Sequence, residues 1–327
     1  MASRNPLTRG KKQQALALLK AGRFDEARPL LEKVCATDRR DAEAWYLLGT
    51  LHEQTGIPGE AERCYRCAAE LEPARAELHF ALGNVQQAVG HTEQAIQSYH
   101  RALAIRPDFL EAQGNLGAAL ESQGRLEEAA QSFEHTLALD PARAETHYNL
   151  ANVLRQLGRH GEAIHAYREA IHRRPGFAAA WVNLGVALTA TALAEARGPQ
   201  RLELLDKAVT AIREGLALKP DVADTHNNLA GVLRHLGRLK ESAEHYRRAL
   251  VLDPGHQDAH EGLATVALLL GHFAEGWEHY RHRISMRIPG AVLPPLAPPP
   301  DLAGWRVLVV RDQGLGDEIF FLRFAAQ

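Results

Sequence analysis

Apolar residues recur along most of this chain at the spacing of helix faces, in pairs of segments separated by a glycine. Between residues 144 and 177, Leu150 and Leu154 are one helical turn apart and belong to a first apolar face. A second face, apolar at i, i+4 and i+7, follows Gly158, and Pro175 ends it because proline has no N–H to continue a helix. The pattern predicts two helices joined by a tight turn.

This segment is repeated along the chain. Its closing prolines are 34 residues apart, except for one interval of 45: Pro73, Pro107, Pro141, Pro175, Pro220 and Pro254. The turn glycines have the same period and the same interruption: Gly22, Gly56, Gly90, Gly124, Gly158, Gly237 and Gly271. Two independent markers with one period indicate an array of stacked helix pairs.

A 34-residue period with paired helices resembles the tetratricopeptide repeat. In the second repeat, that family's signature spacings are occupied by Trp45, Leu48, Gly49, Ala61, Tyr65, Ala68 and Pro73. The resemblance implies an all-α fold, a right-handed superhelix (α-solenoid) of about eight helix-turn-helix repeats.

The array is predicted to occupy residues 8–288. Its repeats are assigned to residues 8–41, 42–75, 76–109, 110–143, 144–177, 178–222, 223–256 and 257–288. The sixth repeat contains 11 additional residues around Gly198–Pro199, so we expect both of its helices to be longer than usual. The insertion is either a tolerated lengthening of a surface turn or a projecting site for partner docking.

Small residues recur where the two helices of each repeat are expected to touch. In the first helices these are Gly49, Gly83, Gly117, Ala151, Gly185 and Ala230. Small residues of the second helices are expected opposite them: Ala61, Ala95, Ala129, Ala163 and Ala208. Large aromatic residues of the second helices are expected to fill the wedge between neighbouring repeats: Tyr65, Tyr99, Phe133, Tyr167 and Tyr246. We interpret this aromatic row as core and not as a ligand cage.

Composition and charge narrow the classes of function. The chain has 327 residues with 46% hydrophobic residues, and no apolar run approaches the length of about 20 residues that spans a bilayer. Its 38 basic and 40 acidic residues nearly cancel, which argues against a nucleic-acid partner. The start lacks the apolar core of a secretory signal, and 3 cysteines make no disulfide framework, so a cytoplasmic protein is predicted.

A row of asparagines is the first candidate site. Positions are counted from the first residue of each repeat. Position 6 holds asparagine in four repeats, and position 9 holds it in two: Asn84, Asn115, Asn149, Asn152, Asn183 and Asn228. Amide side chains both donate and accept, so a row of them in the inner groove can bind a peptide backbone without reading its sequence. The row resembles the asparagine ladder of O-GlcNAc transferase, which implies binding of extended protein substrates. The alternative is that these asparagines only cap or hydrate the groove.

The C-terminal region departs from the repeat pattern. Residues 289–303 form a proline-rich stretch that predicts a stiff extended linker. Residues 304–327 then predict one β-strand, Trp305–Val310, followed by a glycine-containing loop and a helix, the opening of an α/β domain.

The loop in this last segment is the second candidate site. The sequence Gln313–Ile319, with Gly314, Gly316 and Asp317, resembles the first loop of heptosyltransferase-like glycosyltransferase domains. That resemblance implies that Asp317 is the general base if the domain is complete. The second half of such a domain, which binds the nucleotide sugar, does not occur in this sequence, so we expect no catalysis by this chain and a nucleotide-sugar ligand only in a longer form.

Cysteine and histidine patterns predict no metal site and no cofactor. Cys64 and Cys67 are paired on one helix without a second pair, so packed thiols are favoured over zinc. Four histidines occupy position 4 of their repeats, where Trp45 and Trp181 stand elsewhere, and are interpreted as packing substitutes for tryptophan: His79, His147, His226 and His260.

The sequence therefore predicts a scaffold that binds an extended peptide or a partner protein in its groove. The alternative prediction is the substrate-recruiting part of a truncated glycosyltransferase, related to O-GlcNAc transferase or to heptosyltransferases.

Overall fold

The computed structural model describes residues 6–287, with side-chain environments for residues 8–280. Contacts divide the chain into two compact units with the division after Ala194. In unit 1 the helices are α1 (Pro6–Lys20), α2 (Phe24–Thr37), α3 (Ala42–Gln54), α4 (Pro58–Leu71), α5 (Ala76–Ala88), α6 (Thr92–Ile105), α7 (Leu110–Ser122), α8 (Leu126–Leu139), α9 (Ala144–Gln156), α10 (His160–Arg173) and α11 (Ala178–Ala194). In unit 2 they are α12 (Gly198–Leu218), α13 (Ala223–His235), α14 (Leu239–Leu252), α15 (Gln257–Leu269) and α16 (Phe273–Arg287).

Every regular element between residues 6 and 287 is an α-helix, so the all-α prediction is confirmed for this range. The predicted proline-rich linker and the strand–loop–helix segment with Gly314, Gly316 and Asp317 lie outside the described residues. Both stay predictions.

The turn glycines explain why each helix pair is so compact. All seven have φ between +70° and +83°, a left-handed conformation that costs glycine nothing and other residues about 1 kcal/mol or more. At Gly90 the next residue closes the turn, because the His91 N–H donates to the Gln86 carbonyl at 2.8 Å and satisfies an end group of α5. The second helix can therefore begin at once and fold back on the first.

The insertion in the sixth repeat lengthens its helices, as predicted. α11 has 17 residues, whereas α3, the corresponding helix of the second repeat, has 13. α12 has 21 residues, whereas α4 has 14, and it begins at Gly198 with Pro199 in its first turn.

Within unit 1, consecutive first helices approach one another, as α5 approaches α7 and α7 approaches α9. Consecutive second helices of the described part of unit 1 make no comparable contact. The first helices therefore lie on the inner side of the stack, and we call the surface formed by α3, α5, α7, α9 and α11 the first-helix face.

The small residues of the first helices touch the second helices as predicted, but at Gly83 and Gly117 of unit 1 they meet the aromatic ring of the same repeat and not an alanine. A Cβ atom added to Gly83 would lie 2.6 Å from the ring of Tyr99, and one added to Gly117 would lie 2.6 Å from the ring of Phe133. These rings are about 1% exposed, so they are core residues and not a ligand cage, as the sequence predicts. Glycine is needed at both positions because the second helix presses a ring directly against the first.

Replacing Gly83 by alanine is expected to destabilise the protein by about 1–3 kcal/mol, because the new methyl group must displace the Tyr99 ring from a packed core. Chemical denaturation followed by circular dichroism measures the loss. Gly59, at the start of α4, has no heavy atom within 4 Å of an added Cβ and serves as the control position. Equal stabilities of Gly83→Ala and Gly59→Ala would contradict the packing argument.

Candidate peptide-binding groove

Asn84, Tyr99 and Asn115 form one hydrogen-bonded group on the first-helix face. The Tyr99 hydroxyl donates to Asn84 Oδ1 at 2.9 Å within the third repeat. Asn115 of the fourth repeat donates from Nδ2 to the same oxygen at 2.8 Å. The group therefore joins α6 to α5 and α5 to α7, and two of the predicted site residues are in direct contact.

A second group with the same construction lies two repeats further on. The Tyr167 hydroxyl donates to Asn152 Oδ1 at 2.6 Å, and Asn183 Nδ2 donates to that oxygen at 3.1 Å. Asn183 Nδ2 also donates to the Tyr148 hydroxyl at 3.1 Å. Four predicted asparagines thus occur as two pairs, each bridging consecutive repeats of unit 1.

The other two asparagines belong to neither group. Asn149 is half-buried on α9, the helix that also carries Asn152 of the second group. Asn228 is half-buried on α13 and belongs to unit 2. Four of the six predicted asparagines therefore form two bridges, and Asn149 and Asn228 take part in neither of them.

These bonds leave hydrogen-bonding capacity on the face. In the first group, both lone pairs of Asn84 Oδ1 accept, and one N–H of Asn115 donates. An amide carries two N–H donors and one carbonyl with two lone pairs, so the donors of Asn84 and the carbonyl of Asn115 are not used by these bonds. Asn115 is exposed, which places its carbonyl where a peptide N–H can reach it.

Burial keeps the two tyrosines as donors. It raises the pKa of Tyr99 to about 12 and also raises the pKa of Tyr167 above its usual value. Both hydroxyls therefore keep their protons through the neutral pH range. The two asparagine bridges hold over that range as well.

Sequence reasoning missed a row of half-buried rings on the first-helix face. Position 5 of the second, third and fifth repeats holds Tyr46, Phe80 and Tyr148. Phe80 packs against Phe109 with ring centroids 4.8 Å apart, and Tyr148 packs against Phe177 at the same distance. The sequence did contain a signal for these pairs, since Phe109 and Phe177 are 68 residues apart, which is two repeat lengths.

An arginine lies over the position 34 phenylalanine of each of these pairs. The guanidinium carbon of Arg106 lies 3.7 Å from the centroid of Phe109, and that of Arg174 lies 3.8 Å from the centroid of Phe177. Arg106 also pairs with Glu77 at 3.1 Å, and Arg174 pairs with Glu145. Both of these guanidinium groups are therefore matched by a carboxylate, in keeping with the near-neutral net charge.

At position 4, tryptophan and histidine make the same hydrogen bond, which the interpretation of these histidines as packing substitutes did not include. The indole N–H of Trp181 donates to the carbonyl of Pro175 at 3.0 Å, and the Nε2 of His147 makes the same bond to the carbonyl of Pro141 at 3.0 Å. His79, His226 and His260 repeat it with the prolines six residues before them. Because a carbonyl only accepts, Nε2 carries the proton, and histidine replaces tryptophan as a donor.

All three cysteines are free thiols in the described structure, and Cys67 is only half-buried. Cys35 and Cys64 are buried, and burial raises the pKa of each to about 12, so both are protonated at neutral pH.

In the described part of the chain, no three His, Cys, Asp or Glu side chains are arranged to hold a metal ion. Among the helices between residues 6 and 287, none combines the length and the apolar character that crossing a bilayer requires.

The repeats match sequence models of a known family. Models described as tetratricopeptide repeat match residues 12–76, 193–257 and 108–175, and a model described as TPR repeat matches residues 88–124. None of these matches includes the segment with Gly314, Gly316 and Asp317. No curated protein sequence matches the chain.

Several solved structures share the fold. The C-terminal part of a TPR repeat-containing protein from Cytophaga hutchinsonii is 16% identical, with 77% of this chain and 99% of that chain covered and a TM-score of 0.62. Pseudomonas aeruginosa PilF is 21% identical, with 70% and 100% covered and a TM-score of 0.56. YrrB, described as a TPR protein with an unusual peptide-binding site, is 20% identical, with 60% and 95% covered and a TM-score of 0.50. The family matches together span more than half of the chain, which therefore belongs to the tetratricopeptide repeat family.

Proposed function

We propose that this protein is an interaction scaffold and that the first-helix face of unit 1 binds an extended segment of a partner protein. The observation that carries the proposal is the pair of asparagine bridges, Asn84–Asn115 and Asn152–Asn183, which fix amide groups in register two repeats apart. Amides fixed in this way pair with a peptide backbone at little further cost in side-chain entropy. The peptide-binding site of YrrB supports this proposal by fold analogy alone.

The mode of recognition follows from the chemistry of the face. Its amides suit the N–H and C=O groups of an extended main chain, while the half-buried rings Tyr46, Phe80 and Tyr148 supply apolar contact. Balanced charges give no preference for a strongly acidic or basic partner. The partner is therefore an extended peptide segment, and we propose no nucleic-acid role and no nucleotide-sugar role for this face.

The test is a combined replacement of Asn115, Asn149 and Asn183, the three position 6 asparagines of unit 1, by alanine. We expect peptide affinity to fall about tenfold or more, because each lost hydrogen bond is worth about 0.5–1.5 kcal/mol. The helical content should not change, since Tyr99 and Tyr167 still satisfy Asn84 and Asn152. Isothermal titration calorimetry with a partner peptide measures the effect.

The matched control replaces Gln97 and Gln131, two exposed amides of the second helices, by alanine. This control should bind the peptide like the unchanged protein. Equal affinity of the asparagine variant and the control would contradict the proposed site.

A second candidate function is the recruiting part of a glycosyltransferase. The sequence around Asp317 is the one observation that favours it. Sugar transfer to a groove-bound peptide by a form with a complete transferase domain, abolished by Asp317→Asn, would support this candidate. Peptide binding without any sugar transfer would contradict this candidate and support the scaffold function.

A further inference from the structure

Arg155 lies on the first-helix face of unit 1, beside the second asparagine bridge. It occupies position 12 of the fifth repeat, one turn of α9 after Asn152, and both side chains are half-buried. Its guanidinium lies next to the Tyr167 hydroxyl, because burial raises the pKa of Tyr167 and Arg155 opposes that effect. The same hydroxyl donates to Asn152 Oδ1 at 2.6 Å. Arg155 therefore belongs to the part of the face that is assigned to the partner.

Arg155 lacks a counter-charge within the chain. The other half-buried arginines of unit 1 each pair with a carboxylate: Arg28, Arg75, Arg106, Arg125, Arg143 and Arg174. Arg155 forms no ion pair in the described structure, and its Nε atom is enclosed without a hydrogen-bond partner. Partial burial of a charge without an opposite charge costs stability. The chain therefore keeps a cation here that its own fold does not compensate.

The charge at position 12 changes from repeat to repeat along the first-helix face. It is neutral in the third repeat, with Gln87, negative in the fourth, with Glu121, and positive in the fifth. Glu121 accepts from Gln156 Nε2 at 2.9 Å and makes no ion pair with Arg155 in the described structure. An acidic partner residue is therefore favoured beside the fifth repeat and disfavoured beside the fourth.

The Asn152 amide adds donors next to the guanidinium. Asn152 Oδ1 accepts from Tyr167 and from Asn183, so the bridge does not use its Nδ2 group. Because Arg155 Nε is enclosed, a ligand meets the two terminal nitrogens of that side chain. A carboxylate matches this set, since its two oxygens accept from the planar guanidinium and from an amide N–H at once.

From this geometry we infer that Arg155 and the Asn152 amide bind the side-chain carboxylate of an acidic residue in the partner segment. The inference rests on the proposed function and adds the partner's chemistry to it: an extended segment with one Asp or Glu beside the second asparagine bridge. The asparagines bind the main chain of that segment, and Arg155 selects its sequence. A single matched charge agrees with a face that has no preference for a strongly acidic partner.

The probes are synthetic peptides selected from a random library of peptides about 12 residues long displayed on phage, with the full chain as the target. Calorimetry compares each peptide with variants in which one Asp becomes Asn or one Glu becomes Gln. We expect one acidic residue in each peptide whose neutralisation weakens binding about tenfold or more, because hydrogen bonds to charged groups are the stronger ones. Peptides that bind equally well without any acidic residue would overturn the inference.

A second form of each peptide, with an amidated C-terminus, distinguishes the source of the carboxylate. We expect amidation to leave the affinity unchanged. Loss of binding on amidation, without loss on neutralising a side chain, would show that a chain terminus binds and would overturn the inference.

The matched change in the protein is Arg155→Gln, which places at position 12 the residue that the third repeat already carries there. We expect unchanged helical content and about tenfold or more loss of affinity for the selected peptide. Neutralising the peptide's acidic residue should then cost no further affinity, because the two changes remove one interaction. Arg155→Met, which keeps an unbranched stem without the charge, repeats the test if glutamine disturbs folding. Unchanged affinity in either folded variant would overturn the inference.

The control is Arg168→Gln, on the second helix α10 of the same repeat. Arg168 is exposed and, like Arg155, has no carboxylate partner in the described structure. This variant should bind the peptide like the unchanged protein. Equal losses for Arg155→Gln and Arg168→Gln would reduce the effect to net charge and overturn the inference.

The asparagine variant separates this inference from the proposed function. Peptides lost by the asparagine variant but unaffected by Arg155→Gln leave the groove intact and remove the acidic contact. Peptides unaffected by the asparagine variant contradict the groove itself. A library that yields no binding peptide contradicts both.

Discussion

Replacing Tyr167 by alanine is expected to lower the free energy of unfolding by about 3–5 kcal/mol, because it empties a fully enclosed site of the fifth repeat. The Tyr167 side chain is 0% exposed, and its ring packs against Tyr148 with centroids 6.0 Å apart. Its hydroxyl holds Asn152, which in turn accepts from Asn183 of the next repeat. The loss therefore weakens both the repeat and its junction with the next one.

Tyr167→Phe is the control that separates the ring from the hydroxyl. It keeps the packing and removes one hydrogen bond, so the expected loss is only about 1 kcal/mol. Denaturation by urea measures the stability, and amide hydrogen exchange shows where the protection is lost, because an array need not unfold in one step. A loss for Tyr167→Ala no larger than that for Tyr167→Phe would contradict the core role of the ring.

Acidification from about pH 7.5 to about pH 5 is expected to destabilise unit 2 through a histidine pair between α13 and α14. The Nδ1 atoms of His226 and His245 are 3.0 Å apart, and His226 Nε2 donates to the Pro220 carbonyl. His226 Nδ1 therefore accepts from the N–H of His245. Protonation of both rings places two N–H donors face to face, at an expected cost of about 0.5–1.5 kcal/mol for the lost, part-buried bond.

The sign of this pH dependence follows from the pKa shifts of the two histidines. Burial, as the largest cause, lowers the pKa of both His226 and His245, so each ring binds a proton less readily in the folded state than in the unfolded chain. The stability from the neutral pair is fully present above the unfolded value of about 6.5. It is lost as the pH falls from there towards the folded values. The charged groups acting on the pair are Arg213 of α12, Asp221 before α13, and Glu241, Glu244 and Arg248 of α14.

The fourth repeat offers a pair that does not titrate in this range. There Gln113 and Ser132 occupy the same two positions, and Gln113 Nε2 donates to Ser132 Oγ at 2.8 Å. We expect the variant His226→Gln with His245→Ser to lose less stability than the parent over the same acidification, measured by denaturation at each pH. His235, whose pKa burial also lowers, is present in both proteins and cancels in the comparison. Parallel pH profiles would contradict the role of the pair.

Sequence alone predicted the repeat and the reason for its small residues. The 34-residue period of glycine and proline is a local signal, since a positive φ and a missing N–H act within a few residues. Sequence also placed Gly83 and Gly117 where the two helices of a repeat touch, but only the structure set the rings of Tyr99 and Phe133 against them. The same alignment of repeats showed that histidine replaces tryptophan at position 4 in several repeats.

Tertiary structure decided which polar residues act together. Sequence placed six asparagines in a row, but the folded chain pairs Asn84 with Asn115 and Asn152 with Asn183, because those bonds cross from one repeat to the next. In unit 1, a polar residue at position 9 accompanies each tyrosine at position 24, as in Asn84 with Tyr99, whereas Ala118 accompanies Phe133. The hydroxyl explains this, since a buried O–H needs an acceptor and a phenyl ring needs none.

The open space at Gly114 is visible only in three dimensions. Along the sequence, the repeat register marks Gly117 as a contact position, but no pattern shows what surrounds Gly114. Packing separates them, because Gly117 faces the second helix of its own repeat and Gly114 has no neighbour within 4 Å of an added Cβ. Local periodicity fixes which residues form helices, whereas the stacking of helices decides which surface stays open.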